Sequence, residues 1–349
     1  MDLGDIRYRP ETGCAAQADL RHDSLTATAP PAERWLLIES RSAWPRQALT
    51  SLRNTSSGAD LRDRSSGADL RNSASGADLR NSASGADLRN SASGGELGDV
   101  VARRCRELGI RPVLIRRYGR VDRTGSRRWG LVDCRPGREL VRWGDLPTDE
   151  HLLNVLTGKD LGVVSTAPVY LVCTHGRHDA CCAVRGRPVA ATLTAAYPER
   201  TWECSHIGGD RFAANVVVLP HSLFYGHVAP TRAVELAKQY DEGAVVPDLL
   251  RGSGAFVPPV QAAQHFARAA GHSPAVDNLL PQTVEVLGEH RWRILLASTN
   301  GSASGSSPAR RLIAVEVSAR LDTVEARLTC AGSSPAQIRH FELHKLTTA

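Results

Sequence analysis

The chain has 349 residues, of which 42% are hydrophobic and 5% aromatic, and its formal net charge is +6. This length predicts two or three domains that can each bury a core. The basic residues are scattered among acidic ones, and no basic stripe with stacking aromatic side chains can be drawn. A nucleic-acid partner is therefore not expected.

The N-terminal residues MDLGDIRYRPE are charged and contain no apolar segment, and no apolar run in the chain is long enough to cross a bilayer. We therefore expect a cytoplasmic protein with no membrane association. Thiols stay reduced in that compartment, so a cluster of cysteines is more typical of a metal or redox site than of disulfides.

The first half of the chain predicts one α/β unit that is interrupted by a repeat. A short apolar strand is expected at 34–39, after an irregular start in which Cys14 has no evident partner. Between residues 51 and 95, glycine recurs every nine residues among Ser, Asn, Asp and Arg. Such units bury too little apolar surface to offset their ordering entropy, which predicts a flexible insertion. A helix from about residue 96, three strands and a second helix near 150–156 complete a β-α-β-β-β-α order.

The second half predicts the same β-α-β-β-β-α order. Its first strand is expected at 169–172, and its first helix is expected to begin at Pro188, because proline suits the first turn of a helix. This order, with a functional loop after the first strand, is typical of thioredoxin-like domains. The prediction is an α/β protein with two thioredoxin-like units in tandem and a small C-terminal α+β region. The predicted domains are a degenerate thioredoxin-like domain at 1–165, interrupted by the insertion at 51–95, a second thioredoxin-like domain at 166–245 and the C-terminal region at 246–349.

Cysteines and histidines are concentrated in the segment from 171 to 219. Thiolates and imidazoles are the donors that zinc and iron-sulfur centres use. The members of this cluster are Cys173, Cys181, Cys182, Cys204, His175, His178 and His206.

The spacing of these residues permits one shared site. Cys173 falls at the end of a predicted strand, and Cys182 lies on the same following loop. Cys204 and His206 are two positions apart at the next strand end, which places both side chains on one face. The glycines that follow, Gly208 and Gly209, allow the backbone to pass close to a bulky cofactor.

The stretches CTHGRHDACCAVRGRPV and CSHIGGDRFAANVVVLP resemble the sucrase/ferredoxin-like family, whose members carry a thioredoxin-like ferredoxin domain. The resemblance implies that the domain at 166–245 is a thioredoxin-like ferredoxin domain, with a [2Fe-2S] cluster whose ligands map onto Cys173, Cys182 and His206. The family's second histidine is replaced here by Asp210, and a carboxylate is a hard ligand for an iron-sulfide unit. The softer Cys204 is therefore expected as the fourth metal ligand, with Gly208 and Gly209 shaping the cofactor pocket.

The expected function is electron transfer with an unknown redox partner protein, a carrier role rather than catalysis on a substrate of its own. Three alternatives stay open at this point, and one of them is that the cysteines are small apolar core residues that bind no metal. Cys181 and Cys182 could act in thiol-disulfide exchange, although the C-x-x-C spacing is missing. The same ligands could instead hold a structural zinc ion. Cys330 has no evident partner, and His175 and His178 are expected either to tune the cluster or to lie exposed on the loop.

Overall fold

The computed structural model describes residues 9–53, 95–119, 125–299 and 310–348. Residues 54–94, which make up almost all of the predicted flexible insertion, lie outside the described residues. No helix within the described ranges is both long enough and apolar enough to span a membrane.

The described residues form six α-helices and fourteen β-strands. The helices are α1 (Cys14–Arg21), α2 (Gly95–Glu107), α3 (His151–Leu156), α4 (Ala180–Ala196), α5 (Pro230–Asp241) and α6 (Pro258–Ala269). The strands are β1 (Arg34–Glu39), β2 (Arg111–Arg116), β3 (Arg127–Asp133), β4 (Leu140–Leu146), β5 (Val163–Ser165), β6 (Val169–Cys173), β7 (Thr201–Cys204), β8 (Val216–Leu219), β9 (Leu223–Tyr225), β10 (Leu250–Ser253), β11 (Leu280–Gly288), β12 (Arg291–Thr299), β13 (Arg310–Val324) and β14 (Ala336–Thr348).

Ten strands form one mixed sheet in the order β10-β9-β8-β6-β7-β2-β1-β3-β4-β5. In each half of the chain the first strand lies centrally, with a parallel neighbour on one side and an antiparallel neighbour on the other: β1 between β2 and β3, and β6 between β7 and β8. The halves meet where β2 pairs with β7, with Ile115 opposite Cys204. The chain is therefore a mixed α/β protein with a large mixed sheet. Its division into two thioredoxin-like units stays a prediction.

The central strand β6 reads VYLVC and is buried along its whole length. A continuous apolar strand is expected where both faces of a sheet are covered. Tyr170 and Val172 pack in the cluster that contains residues of α4 and α5. Leu171 and Cys173 face the other way, into a cluster that includes α1. The cysteine at the end of β6 thus lies under the N-terminal helix.

Several local predictions are corrected by the structure. The N-terminal region was expected to be irregular, but α1 forms because Cys14 and Ala15 are buried against the sheet. The helix α4 begins at Ala180 rather than at Pro188, which lies inside it. The Asp179 carboxylate caps this helix by accepting a hydrogen bond from the Cys181 amide at 2.9 Å. Burial of one helix face then outweighs the backbone hydrogen bond that the proline removes.

The C-terminal residues form a four-stranded antiparallel sheet in the order β11-β12-β13-β14, and α6 packs on it. The helix buries Val260 and Ala263 in the same cluster as Ile294 and Val315 of the sheet. The expected α+β arrangement is present, although β14 was not predicted. The preceding β10 lies past the predicted boundary at residue 245, yet it pairs with β9 in the large sheet.

Candidate metal centre

Two cysteines meet at the ends of neighbouring parallel strands. Cys173 ends β6, Cys204 ends β7, and the strand register places them directly opposite each other. Carboxyl ends of parallel strands lie at the same sheet edge, so their side chains share one site. Cys173 is 1% exposed and Cys204 is fully buried, and the two thiols are within hydrogen-bonding reach.

A third thiol comes from the first turn of α4. Because the helix begins at Ala180, Cys182 points back toward the strand ends and its thiol contacts that of Cys173. The Cys182 sulfur also lies 3.2 Å from Oδ1 of Asp210, so its one proton can be donated either to this carboxylate or to Cys173. The structure therefore brings together the three cysteines that the sequence analysis selected as metal ligands.

The three thiols differ in their affinity for a proton. Hydrogen bonds from Cys182 and Cys204 hold the pKa of Cys173 well below its ordinary value. The two neighbouring thiols are harder to ionise. The interaction with Cys173 raises the pKa of Cys182, and burial raises the pKa of Cys204. Cys173 is thus the thiol of the group that ionises most readily, because its two neighbours can donate hydrogen bonds to its sulfur.

The remaining predicted ligand, His206, lies beside Asp210. Its Nδ1 atom is 2.9 Å from one carboxylate oxygen of Asp210, and Nε2 of His178 is 3.5 Å from the other. The two imidazole rings stack with their centroids 3.7 Å apart. Asp210 is 1% exposed, whereas the His206 and His178 side chains are 29% and 27% exposed. The two imidazole rings are therefore the solvent-exposed part of the site, whereas Asp210 and the thiols lie beneath the surface.

Asp210 and His178 shift each other's pKa values. Burial by itself would raise the pKa of Asp210, but its interactions with His178 and His206 outweigh burial and leave that pKa below its ordinary value. The interaction with Asp210 raises the pKa of His178. The carboxylate therefore stays ionised and holds both rings in place.

The other loop histidine, His175, is 2% exposed, so the expectation of an exposed ring is wrong for this residue. Its Nδ1 atom accepts a hydrogen bond from the His206 amide at 3.2 Å, and its Nε2 atom lies 2.8 Å from the Pro45 carbonyl oxygen. Since Nδ1 accepts, Nε2 carries the proton and donates to Pro45. Burial lowers the pKa of His175, which keeps the ring neutral. His175 thereby fixes the backbone that carries His206.

Two arginines near the site were not selected from the sequence. Arg251 is 1% exposed and donates through Nη1 to the Asn215 side chain at 2.7 Å and to the Gly208 carbonyl at 2.9 Å. Burial lowers its pKa to about 9, whereas Asp210 and Cys182 act in the opposite direction. Burial likewise lowers the pKa of Arg111, whereas the nearby Cys204 and Cys173 act to raise it. These cations offset negative charge on the thiols. No local pattern marks them, because β10 was not predicted and Arg111 merely begins a strand.

Gly208 and Gly209 have φ angles of +93° and +81°, which side chains with a Cβ rarely adopt. A Cβ on Gly209 would lie 2.3 Å from Nη2 of Arg251. The backbone at Gly209 therefore passes close to the buried guanidinium of Arg251, whereas a close approach to a cofactor was expected there. A role for either glycine in binding a cofactor stays a prediction.

A second group of thiols corrects the interpretation of Cys14 and Cys330 as isolated residues. The Sγ atom of Cys330 is 3.6 Å from that of Cys14 and 3.4 Å from that of Cys181. The carboxylate of Asp179 joins this group, 3.5 Å from the Cys14 sulfur. Sequence reasoning missed the group because its members lie up to 316 positions apart.

The donors at the first site suit an iron-sulfur centre. Thiolates and imidazoles are its ordinary protein ligands, and the site supplies three thiols and a histidine. Nδ1 of His206 lies 2.9 Å from the Asp210 carboxylate, so Nε2 is the ring nitrogen that is left to bind a metal ion.

Comparison with known proteins places the chain in a family. The sucrase/ferredoxin-like family model matches residues 25–252. Two solved structures with some similarity are cysteine-to-serine variants of the thioredoxin-like [2Fe-2S] ferredoxin from Aquifex aeolicus; each is 19% identical and covers 24% of this chain and 97% of its own, with TM-scores of 0.22 and 0.21. Those scores are too low to support an argument about architecture. No curated protein sequence matches this chain. Because the family model matches more than half of the sequence, the chain belongs to the sucrase/ferredoxin-like family.

Proposed function

We propose that this protein is an electron-transfer protein that binds one [2Fe-2S] cluster through Cys173, Cys182, Cys204 and His206. The observation that carries the proposal is the convergence of three buried thiols from the ends of β6 and β7 and the start of α4. When bound, such a cluster accepts and releases single electrons. The thioredoxin-like nature of the domain at 166–245 is part of this proposal.

The surrounding residues are positioning groups in this proposal. Asp210 contacts Cys182 and His206 together, so its carboxylate fixes the side chains of two ligands at once. Hydrogen bonds to a ligand imidazole set its orientation and raise its basicity. The cations Arg111 and Arg251, of which Arg251 is fully buried, offset the negative charge of the thiolates. A carrier of this kind needs no catalytic residue of its own.

The accessible edge of the site is formed by the stacked rings of His178 and His206, each more than a quarter exposed. A redox partner protein would have access to the site at this edge, while the thiols stay shielded from water. The identity of that partner is open.

The contacts of Cys181 and Cys182 argue against a thiol-disulfide oxidoreductase. The two thiols face different neighbours, Cys330 for the first and Asp210 for the second. Both are buried, and the pKa of Cys182 is raised by its interaction with Cys173. Reactive thiols in such enzymes are accessible and have a lowered pKa.

Metal and sulfide analysis of anaerobically purified full-length protein tests the proposal. The expected result is two iron ions and two acid-labile sulfides per chain, with visible absorption. Cys182→Ser should lose both, whereas Cys105→Ser, a matched change at a buried cysteine in α2, should retain them. Colourless wild-type protein without iron would overturn the proposal.

The choice of fourth ligand needs a separate comparison. Cys204→Ser should abolish iron binding, because a hydroxyl is a poorer donor than a thiolate to an iron-sulfide unit. Asp210→Asn should retain the cluster with an altered electron paramagnetic resonance spectrum, since it changes a neighbour of the ligands His206 and Cys182 but no ligand. Loss of iron in Asp210→Asn together with its retention in Cys204→Ser would assign the carboxylate as the ligand instead.

A further inference from the structure

A second set of soft donors meets away from the ligands proposed above. Cys14 comes from α1, Asp179 and Cys181 from the start of α4, and Cys330 from the segment between β13 and β14. One ligand atom from each of these residues lies within 4.8 Å of the others. Three remote parts of the chain therefore present three thiols and a carboxylate to one point.

The distances suit a single tetrahedral ion. At zinc-sulfur bonds of about 2.3 Å, tetrahedral geometry separates two sulfurs by about 3.8 Å. The sulfur of Cys330 lies 3.4 Å from that of Cys181 and 3.6 Å from that of Cys14. The Asp179 carboxylate oxygens are 3.5 and 3.7 Å from the Cys14 sulfur. A small contraction or expansion of this group would bring all four donors to bonding distance of one ion.

The carboxylate is buried without a cation of its own. Asp179 is 2% exposed, and no Arg, Lys or His nitrogen in the described part of the chain lies within ion-pair distance of it. Its oxygens accept hydrogen bonds from the amides of Cys330 at 2.6 Å and Cys181 at 2.9 Å, which fix its orientation. A buried carboxylate is costly unless a positive charge compensates it, and a metal ion would supply that charge.

We propose that Cys14, Asp179, Cys181 and Cys330 bind one zinc ion. Zinc accepts a mixed set of thiolate and carboxylate ligands in tetrahedral geometry. A surface cavity of about 310 Å³ lined by Cys14, Asp179 and Cys330 gives the ion a path to the site. The ion connects α1 and the C-terminal segment to the first turn of α4. The residue that follows the zinc ligand Cys181 in this turn is Cys182, a ligand of the proposed iron-sulfur site. The ion therefore fixes the helix that supplies that ligand.

Other occupants agree less well with the distances. Disulfide sulfurs are about 2.05 Å apart, so the sulfur of Cys330, at 3.4 and 3.6 Å from its two neighbours, is bonded to neither. Ligands of an iron-sulfur cluster are distributed over different irons, whereas these thiols surround one point. The proposal does not depend on the iron-sulfur assignment, because it uses a different set of donors.

Metal analysis of the full-length chain, purified anaerobically with reductant, tests the site. Wild-type protein should carry one zinc per chain. Cys330→Ser and Cys14→Ser should bind zinc on the order of 100-fold more weakly in competition with a chromophoric chelator, since each loses one of four ligands. Cys105→Ser is the matched control and should bind zinc as tightly as wild type. Cobalt(II) added to the metal-free chain should give thiolate-to-metal charge-transfer absorption that Cys330→Ser weakens.

Comparison with iron content separates this proposal from the previous one. Cys182→Ser should lose iron and keep zinc, and Cys330→Ser should lose zinc and keep iron. Any of three results would overturn the zinc site. These are wild-type protein that stays free of zinc after zinc is added, a disulfide among these cysteines in the reduced preparation, and loss of iron rather than zinc in Cys330→Ser. If wild-type protein contains no iron and Cys330→Ser loses one zinc, the zinc site is supported and the iron-sulfur proposal is overturned.

Discussion

Replacement of Gly209 by alanine tests whether the loop after His206 is built around the buried guanidinium of Arg251. The new Cβ would lie 2.3 Å from Nη2 and 2.6 Å from Cζ, so the guanidinium must move. It cannot move freely, because it donates to Asn215, to the Gly208 carbonyl and to both the hydroxyl and the carbonyl of Thr28. The substitution therefore strains the backbone and disrupts hydrogen bonds of a buried cation.

The two contributions can be estimated separately. A residue with a Cβ at a φ of +81° costs about 1–2 kcal/mol relative to glycine. Loss of one hydrogen bond from a buried charged group costs about 1.5–3 kcal/mol. Gly209→Ala should therefore lower the free energy of unfolding by roughly 2.5–5 kcal/mol.

Gly137→Ala is the matched control. Gly137 has a φ of +74°, and a Cβ there would meet no atom within 4 Å, so only the backbone cost of about 1–2 kcal/mol applies. Equilibrium urea unfolding followed by circular dichroism measures both variants against wild type. Equal destabilisation of the two variants would refute the reasoning, because it would show that Arg251 yields to the new methyl group without cost.

Two further substitutions probe the pH response of stability and the packing behind the thiols. Burial lowers the pKa of His265, so both folded and unfolded chains are neutral there above the ordinary pKa of about 6.5. As pH falls below that value, the unfolded chain binds the proton first and the free energy of unfolding decreases. Urea titrations between neutral and mildly acidic pH should show a steeper loss of unfolding free energy for wild type than for His265→Gln. Parallel curves for the two proteins would contradict this. Gly186→Ala would place a Cβ 2.1 Å from the Cys173 carbonyl oxygen and should lower the unfolding free energy by about 1–3 kcal/mol with reduced iron content. Val184→Ala, at a 47% exposed position of the same helix, should leave iron content unchanged; similar iron loss in both would exclude a specific packing role for Gly186.

Residues close in sequence carried most of what could be predicted. The apolar runs at β1 and β6 and the helices expected from about residue 96 and near 150–156 are local patterns, and the corresponding elements β1, β6, α2 and α3 are present. The donors Cys173, Cys182, Cys204 and His206 could be selected because they follow predicted strands or lie on the loop between them. Propensity and periodicity act over a few residues, so they are legible without a structure.

Local patterns also misled where tertiary burial or capping prevailed. Pro188 suggested a helix start, but the carboxylate of Asp179 begins α4 eight residues earlier than expected and packing keeps the proline inside. The N-terminal segment is weakly periodic, yet α1 forms because the sheet offers an apolar face for Cys14. In both cases a contact outside the segment decides the conformation.

The sequence by itself determined the β-α-β-β-β-α order of the elements in each half and the concentration of soft donors after β6 and β7. Only the tertiary structure decided that β2 and β7 join the halves into one sheet, that Arg251 lies buried behind the His206 loop, and that Cys14 and Cys330 meet at Asp179. The physical reason is that these contacts join segments far apart in the chain. Their formation depends on how whole elements pack, and no pattern within a short window of residues records that packing.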